Sequence, residues 1–163
     1  MKRVAIDASS LLTSRPSGGT NGIARATREF IGALAQADLP FEVLLFGQRL
    51  RGPHLSRIGF PFPVRQIRFP RFAWTERLKT VLPIVEIVGR CDLFHATGNF
   101  AYLRRPERAI LTLYDAMFLS HPESFLGHDV EARRIPPFAR RCRAIITCSQ
   151  ASKRDIVEFM QIP

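Results

Sequence analysis

Six short apolar runs recur along the chain. They are RVAIDA at 3–8, FEVLLF at 41–46, VRQIRF at 64–69, DLFHA at 92–96, AILTLYD at 109–115 and AIITC at 144–148. Each is strand-sized, and most are apolar without strict alternation, the pattern of strands buried on both faces of a parallel sheet. Segments with helical spacing separate several of them. Between 22 and 37 the spacing of Ile23, Ala26, Phe30, Ile31 and Leu34 predicts a helix, capped by Asn21 or Thr20. Residues 74–89 carry Trp74, Leu78, Val81, Leu82, Val85 and Val88 at the same spacing, with Pro83 expected to kink or divide the helix. A helix over 128–142 is expected to break at Pro136 and Pro137, and Ser149 reads as the N-cap of a final helix in QASKRDIVEFM. Strands alternating with helices imply an α/β fold. The expected architecture is a Rossmann-like doubly wound parallel sheet of about six strands, with helices on both faces, forming a single domain over 1–163.

Composition bounds what such a domain can be. Hydrophobic residues make up 46% of the 163, enough for a real core. No apolar run approaches the ~20 residues of a membrane span, and Asp7 interrupts the one near the N-terminus. Cys91, Cys142 and Cys148 form no C-x-x-C pair, so a disulfide framework or zinc site is not expected and a reducing cytosol is the natural setting. The formal net charge is +10, and all basic residues but Lys2, Lys79 and Lys153 are arginines. That balance favours polyanions: nucleic acid, anionic lipid headgroups or phosphorylated substrates. A solvated basic surface explains it equally well.

Ligands of doubly wound sheets sit at the carboxyl ends of the strands. Four spans therefore draw attention: 7–22, 95–100, 114–123 and 148–152. In the first, Gly18, Gly19 and Gly22 crowd a loop before a helix. Glycines let backbone approach a ligand, and a helix N-terminus offers N–H groups to an anion. An ordinary flexible turn remains the other reading, since neither a P-loop nor G-x-G-x-x-G is present. His95 lies near the end of the fourth run, with Thr97 and Asn99 just beyond it. It suits acid–base work or a hydrogen bond to substrate, or is a core histidine satisfied within the fold. Asp115 ends the fifth run and either orients a hydroxyl or caps a turn. Finally, Arg65, Arg68, Arg71, Arg77 and Lys79 interleave with Phe69, Phe72 and Trp74. An anionic membrane, single-stranded nucleic acid and a basic helix with one apolar face all fit that pattern.

Five segments in order carry a resemblance: VAIDASSLL, RPSGGTNGIARATREF, CDLFHATGNF, ILTLYDAMFLSHPESF and RRCRAIITCSQASKRDIVEFMQIP. Together the chain resembles the N-terminal half of retaining glycosyltransferases of the GT-B fold, family four, close to bacterial mannosyltransferases of surface-polysaccharide pathways. The resemblance implies that Gly18, Gly19 and Gly22 approach the diphosphate of a nucleotide-sugar. It places His95 and Asp115 as catalytic candidates beside the transferred sugar. Asn99, Tyr114, Ser149 and Ser152 fall on the acceptor side of the cleft. Tyr114 stands where relatives read histidine before the aspartate, and tyrosine is not cationic near pH 7. The resemblance implies that the C-terminal domain of such enzymes, which carries a Glu-x7-Glu motif on the nucleotide-sugar side, is expected to lie outside these 163 residues.

The implied function is transfer of a sugar, hexose or mannose, from a GDP- or UDP-sugar to a glycan or lipid-linked acceptor, with no metal or other cofactor. The chain alone is expected to be inactive, cytoplasmic, and peripheral on the inner membrane face, where Arg65, Arg68, Arg71, Trp74, Arg77 and Lys79 would meet anionic lipid. Nucleic acid is not an expected partner of this reading. The alternative is a basic Rossmann-like module that holds a nucleotide or nucleic acid without catalysis. A one-domain NAD enzyme is excluded by the missing G-x-G-x-x-G.

Overall fold

A computed structural model describes residues 1–12, 22–48, 54–68, 82–124 and 128–162. Six strands form one sheet: β1 (Arg3–Asp7), β2 (Glu42–Gln48), β3 (Val64–Ile67), β4 (Leu93–Ala96), β5 (Ala109–Thr112) and β6 (Ala144–Ile146). Every pairing is parallel and the order is β3-β2-β1-β4-β5-β6. This is the doubly wound Rossmann order, with its switch point between β1 and β4. All six apolar runs are strands. The fifth and sixth end earlier than their sequence suggests, leaving Tyr114, Asp115 and Cys148 in the loops beyond.

Register sorts the strand residues onto two faces. Ala5, Leu44, Phe94 and Leu111 share one face with the helices α2 (Ile84–Gly89), α3 (Met117–Ser120), α4 (His128–Ala139) and α5 (Gln150–Met160). Val85, Phe118, Ile135, Phe138, Ile156 and Met160 of those helices complete the larger apolar cluster. The other face buries Ile6, Val43 and Leu45 under α1 (Gly22–Leu34), helped by the short turns Ser9–Leu12 and Leu55–Ile58. That cover does not extend across the sheet. On the same face Ile110 and Thr112 are only half-buried, and Ala144 and Ile146 are exposed.

Two sequence expectations are corrected. Helix α4 is not divided at its prolines; it runs through Pro136 and Pro137 to Ala139. Proline removes a backbone donor and crowds the preceding turn, but burial of Ile135, Pro136, Phe138 and Ala139 holds the helix against the core. On α1 the fully buried positions are Ala24, Thr27 and Ile31. Ala26 is exposed and Phe30 is 37% exposed, so the true core stripe is rotated from the one the apolar residues suggest. Elsewhere, α2 begins directly after Pro83, as a dividing proline requires. The proposed caps Thr20 and Asn21 lie outside the described residues, as does 74–81 of the second expected helix. All three cysteines are free, and burial pushes the Cys142 thiol up to about 12.

Candidate functional site

The polar side chains gather along the carboxyl edge of the sheet. At the switch point, Asp7 ends β1. Its Oδ1 accepts the Ser9 N–H at 2.9 Å, and its backbone carbonyl accepts a hydrogen bond from the Thr97 hydroxyl. The Ser9 hydroxyl in turn accepts the Gln48 N–H at 2.9 Å. Burial raises the Asp7 carboxyl above its ordinary value, against the lowering effect of its hydrogen bonds to Ser9.

His95 sits one residue inside the end of β4 and is 7% exposed. Its Nε2 shares a hydrogen bond with Thr112 Oγ1 of β5 at 2.8 Å. Phe30 of α1 meets the imidazole edge-on, with ring centroids 5.0 Å apart and planes at 83°. Burial lowers the His95 pKa, so the neutral ring is favoured. Of the two sequence readings, the satisfied core histidine describes this hydrogen bonding; the imidazole remains one residue from the strand end.

Tyr114 and Asp115 follow β5. The Tyr114 phenol is hydrogen-bonded to Thr27, and its pKa is raised, first by burial and then by Cys148. Ser10 also donates to Thr27 Oγ1, at 3.2 Å. Thr27 is 1% exposed, so it is a buried polar knot tying α1 both to the turn after β1 and to the end of β5. Asp115 Oδ1 accepts the Met117 N–H at 3.1 Å, the turn role open to it from sequence. Glu131 of α4 lies near enough that Asp115 adds to the rise in its pKa caused by burial, and its Oε2 is enclosed without a partner. No hydrogen bond joins His95 to Asp115 among the described residues.

The last strand leads into the N-terminus of α5. Ser149 caps it as expected, its Oγ accepting the Ser152 N–H at 3.0 Å. The two hydroxyl oxygens lie 2.9 Å apart. The Cys148 thiol donates to the Tyr114 carbonyl at 3.3 Å. Thus Tyr114, Cys148, Ser149 and Ser152 form one connected patch with Thr27 and Ser10. Asn99, half-buried beyond β4, keeps an enclosed Oδ1 with no partner. An unmet buried acceptor costs about 1–3 kcal/mol.

Gly22 opens α1. A Cβ built there meets nothing within 4 Å, so its described neighbours impose no demand for glycine. Gly18 and Gly19 lie outside the described residues, as do Arg71, Trp74, Arg77 and Lys79. Arg65 is on β3 and Arg68 follows it, both exposed. Among the described residues no helix is long and apolar enough to cross a membrane.

Thr27, Thr112 and Glu131 were not marked by sequence reasoning, and Ser10 only as part of the span 7–22. Thr27 had a signal: a polar residue three positions from Ala24 and four from Ile31, inside the stripe that proves to be buried. Thr112 and Glu131 had none, because their partners come from other elements.

An all-parallel Rossmann-like sheet with polar residues concentrated at the carboxyl edge defines the class: an α/β domain of the kind that forms one half of a GT-B glycosyltransferase. The sequence model described as Glycosyltransferase Family 4 matches residues 20–163. The chain therefore belongs to glycosyltransferase family 4, as a glycosyltransferase N-terminal domain. No curated protein matches it.

Proposed function

We propose that this domain forms the acceptor-side wall of a retaining glycosyltransferase. It moves a hexose, mannose being the first candidate, from a GDP- or UDP-sugar to a glycan or lipid-linked acceptor. The observation that carries this reading is the connected hydroxyl patch of Ser10, Thr27, Tyr114, Cys148, Ser149 and Ser152 at the carboxyl edge, in a chain matched to the family over 20–163. Hydroxyls and a phenol are suited to hold sugar hydroxyls, being donors and acceptors at once.

In this reading the side chains divide their work by position. Asp115, anchored through Oδ1 to the Met117 N–H, keeps its other oxygen to orient an acceptor or sugar hydroxyl. His95 favours the neutral ring and offers a hydrogen bond from inside the strand end, with Thr112 holding its orientation. Tyr114 and Asn99 border the acceptor. Ser149 and Ser152 sit at a helix N-terminus, where the backbone dipole favours negative charge. Gly18, Gly19 and Gly22 precede or open α1 and would let a diphosphate approach its first turn. Rate enhancement would come from positioning and from stabilising the departing diphosphate. The second nucleotide-sugar domain supplies the remaining contacts, so the isolated chain does not turn over. No metal is needed in this scheme. The basic stretch over 65–79 would hold the enzyme at an anionic inner-leaflet surface.

The test has two parts. Reading the coding sequence past Pro163 should reveal a second α/β pattern with Glu-x7-Glu. The full polypeptide, given a panel of GDP- and UDP-sugars, should then transfer one of them with retained anomeric configuration, and Asp115→Asn should lower kcat by about a hundredfold or more. Transfer unaffected by Asp115→Asn and His95→Gln would remove both from the catalytic role. The net charge of +10 supports one rival, a nucleic-acid-binding module. A salt-dependent gel shift with no nucleotide-sugar binding would favour it.

A further inference from the structure

The segment that joins β4 to β5 crosses the helix-bearing face and, with the end of α4, encloses a hollow of about 230 Å³. Its walls are the rings of Phe100, Tyr102 and Phe138 and the prolines Pro106 and Pro137, with Arg141 at the rim. The rings hold one another in place. Phe100 meets Tyr102 edge-on, with centroids 5.0 Å apart and planes at 88°, and lies 5.0 Å from Phe138 at 58°. Phe138 is buried, while Phe100 and Tyr102 are half-buried and Pro137 is exposed. The segment is also fixed at its far end. Glu86 Oε1 of α2 accepts the N–H of Arg104 at 2.6 Å and that of Arg105 at 3.1 Å. A hollow with walls already in place does not have to order them when a ligand enters.

Planar polar groups border these rings. Arg134 donates through Nη1 to the Tyr102 hydroxyl at 3.1 Å, and its guanidinium carbon lies 5.7 Å from the centre of that ring. Arg141 is held loosely: Nη2 is 3.4 Å from the Arg104 carbonyl and 3.8 Å from Glu107, and its side chain is 61% exposed. Such long contacts are redirected at little cost. An inorganic anion would use Arg141 and gain nothing from three aromatic rings and two prolines. A purely apolar chain would leave the guanidinium and the phenol idle. A pyranose uses both, its C–H face lying on flat rings and its edge hydroxyls meeting the parallel N–H groups of a guanidinium. The position agrees. Asn99, next to Phe100, keeps its enclosed Oδ1 without a partner. From His128 to Pro137 the hollow lies roughly 13 Å down α4, more than one sugar ring from the carboxyl edge.

We propose that this hollow holds a hexose unit of the glycan acceptor at a remove from the reacting hydroxyl, with Phe100 and Tyr102 against the ring and Arg141 on its hydroxyls. The choice of a glycan as occupant rests on the transferase reading.

Saturation-transfer NMR tests it on the 163-residue chain with methyl α-mannoside, methyl α-glucoside and methyl β-galactoside, and with no nucleotide-sugar present. At least one glycoside is expected to bind, with transfer strongest to its ring C–H protons. Tyr102→Ala should weaken that binding roughly fivefold or more. Tyr102→Phe keeps the ring and should retain most of it, and Arg141→Ala should weaken it severalfold. Ser149→Ala with Ser152→Ala, at the carboxyl edge, should change it little. Circular dichroism melts show whether each variant stays folded. Absence of transfer to all three glycosides would overturn the site. So would binding lost in the serine double variant but kept in Tyr102→Ala, which would put the sugar at the carboxyl edge. Displacement of the glycoside by a proline decapeptide would make the hollow a peptide site and overturn the sugar assignment. Failure of the full polypeptide to transfer sugar would count against the transferase reading and leave this binding result standing. An active enzyme whose KM for an oligosaccharide acceptor ignores Tyr102→Ala would overturn the subsite alone.

Discussion

The two edges of this sheet solve the problem of polar groups in opposite ways. Along the carboxyl edge, side chains satisfy one another: Ser10 with Thr27, Thr27 with Tyr114, Cys148 with the Tyr114 carbonyl, His95 with Thr112. Along the amino edge, one half-buried carboxylate, that of Glu86, holds backbone N–H groups and leaves long basic side chains in solvent. Neutral, interlocked groups define positions within an ångström and are sensitive to any single deletion. Solvated arginines set a potential over a wide area and are individually dispensable to the fold. The first edge is built for orientation and the second for attraction.

Substitutions that separate these roles can be ranked by size. The largest effect is expected at His95. His95→Ala should lower unfolding free energy by about 2–4 kcal/mol, from the space left against Phe30 and the unmet Thr112 hydroxyl. A loss below ~1 kcal/mol in urea titration would show that the imidazole is not an integral part of the core. Thr27→Val keeps the shape but strips partners from Ser10 and Tyr114, with an expected cost of about 1–2 kcal/mol. Thr27→Ser should restore most of it.

Asp7 gives a test in which the sign matters. Its folded pKa is raised above its ordinary value of 3.8, so the folded state binds the proton more tightly than the unfolded chain. Its stabilising contribution is full below 3.8 and is lost as pH rises through the folded value. Asp7→Asn should therefore raise the melting temperature at pH 7 and have little effect near pH 3. His95 acts in the other direction. Its lowered folded pKa means the unfolded state takes up the proton first, so its contribution is lost as pH falls below the ordinary 6.5. His95→Gln should flatten that part of the acid-stability curve.

Smaller still is the helix cap. Ser149→Ala should cost about 1 kcal/mol and Ser149→Gly only a few tenths. At the bottom of the scale, Arg105→Ala with Arg108→Ala should leave the melting temperature nearly unchanged while altering association with anions. A drop of several degrees would contradict the division between the two edges.

The fold was legible because six apolar runs needed no partner to be recognised; each carries its burial in its own residues. Boundaries were less so. The sequence continues apolar through Leu113 and Tyr114, yet β5 ends at Thr112, because β6 offers pairing only up to Ile146. The rotation of α1 was hidden for a related reason. Phe30 is apolar but partly exposed, spent on the rim of His95, while the polar Thr27 takes the core position. Ser149 announced itself as a cap because capping is local. The His95–Thr112 pair did not, since it joins positions seventeen apart on neighbouring strands. Gly18 and Gly19 lie outside the described residues, and their placement at a diphosphate rests on the family resemblance.

The half-covered face of the sheet has a consequence for handling the protein in solution. Ile146 is 47% exposed there, next to exposed Ala144, on an edge strand of three residues. Such a surface invites copies to stick, and the formal charge of +10 pushes them apart. Added salt screens the repulsion, and kosmotropic salts also strengthen apolar burial. The chain should therefore be most dispersed at low ionic strength and drift toward oligomers as sulfate is raised, the reverse of a protein whose copies are drawn together by opposite charges.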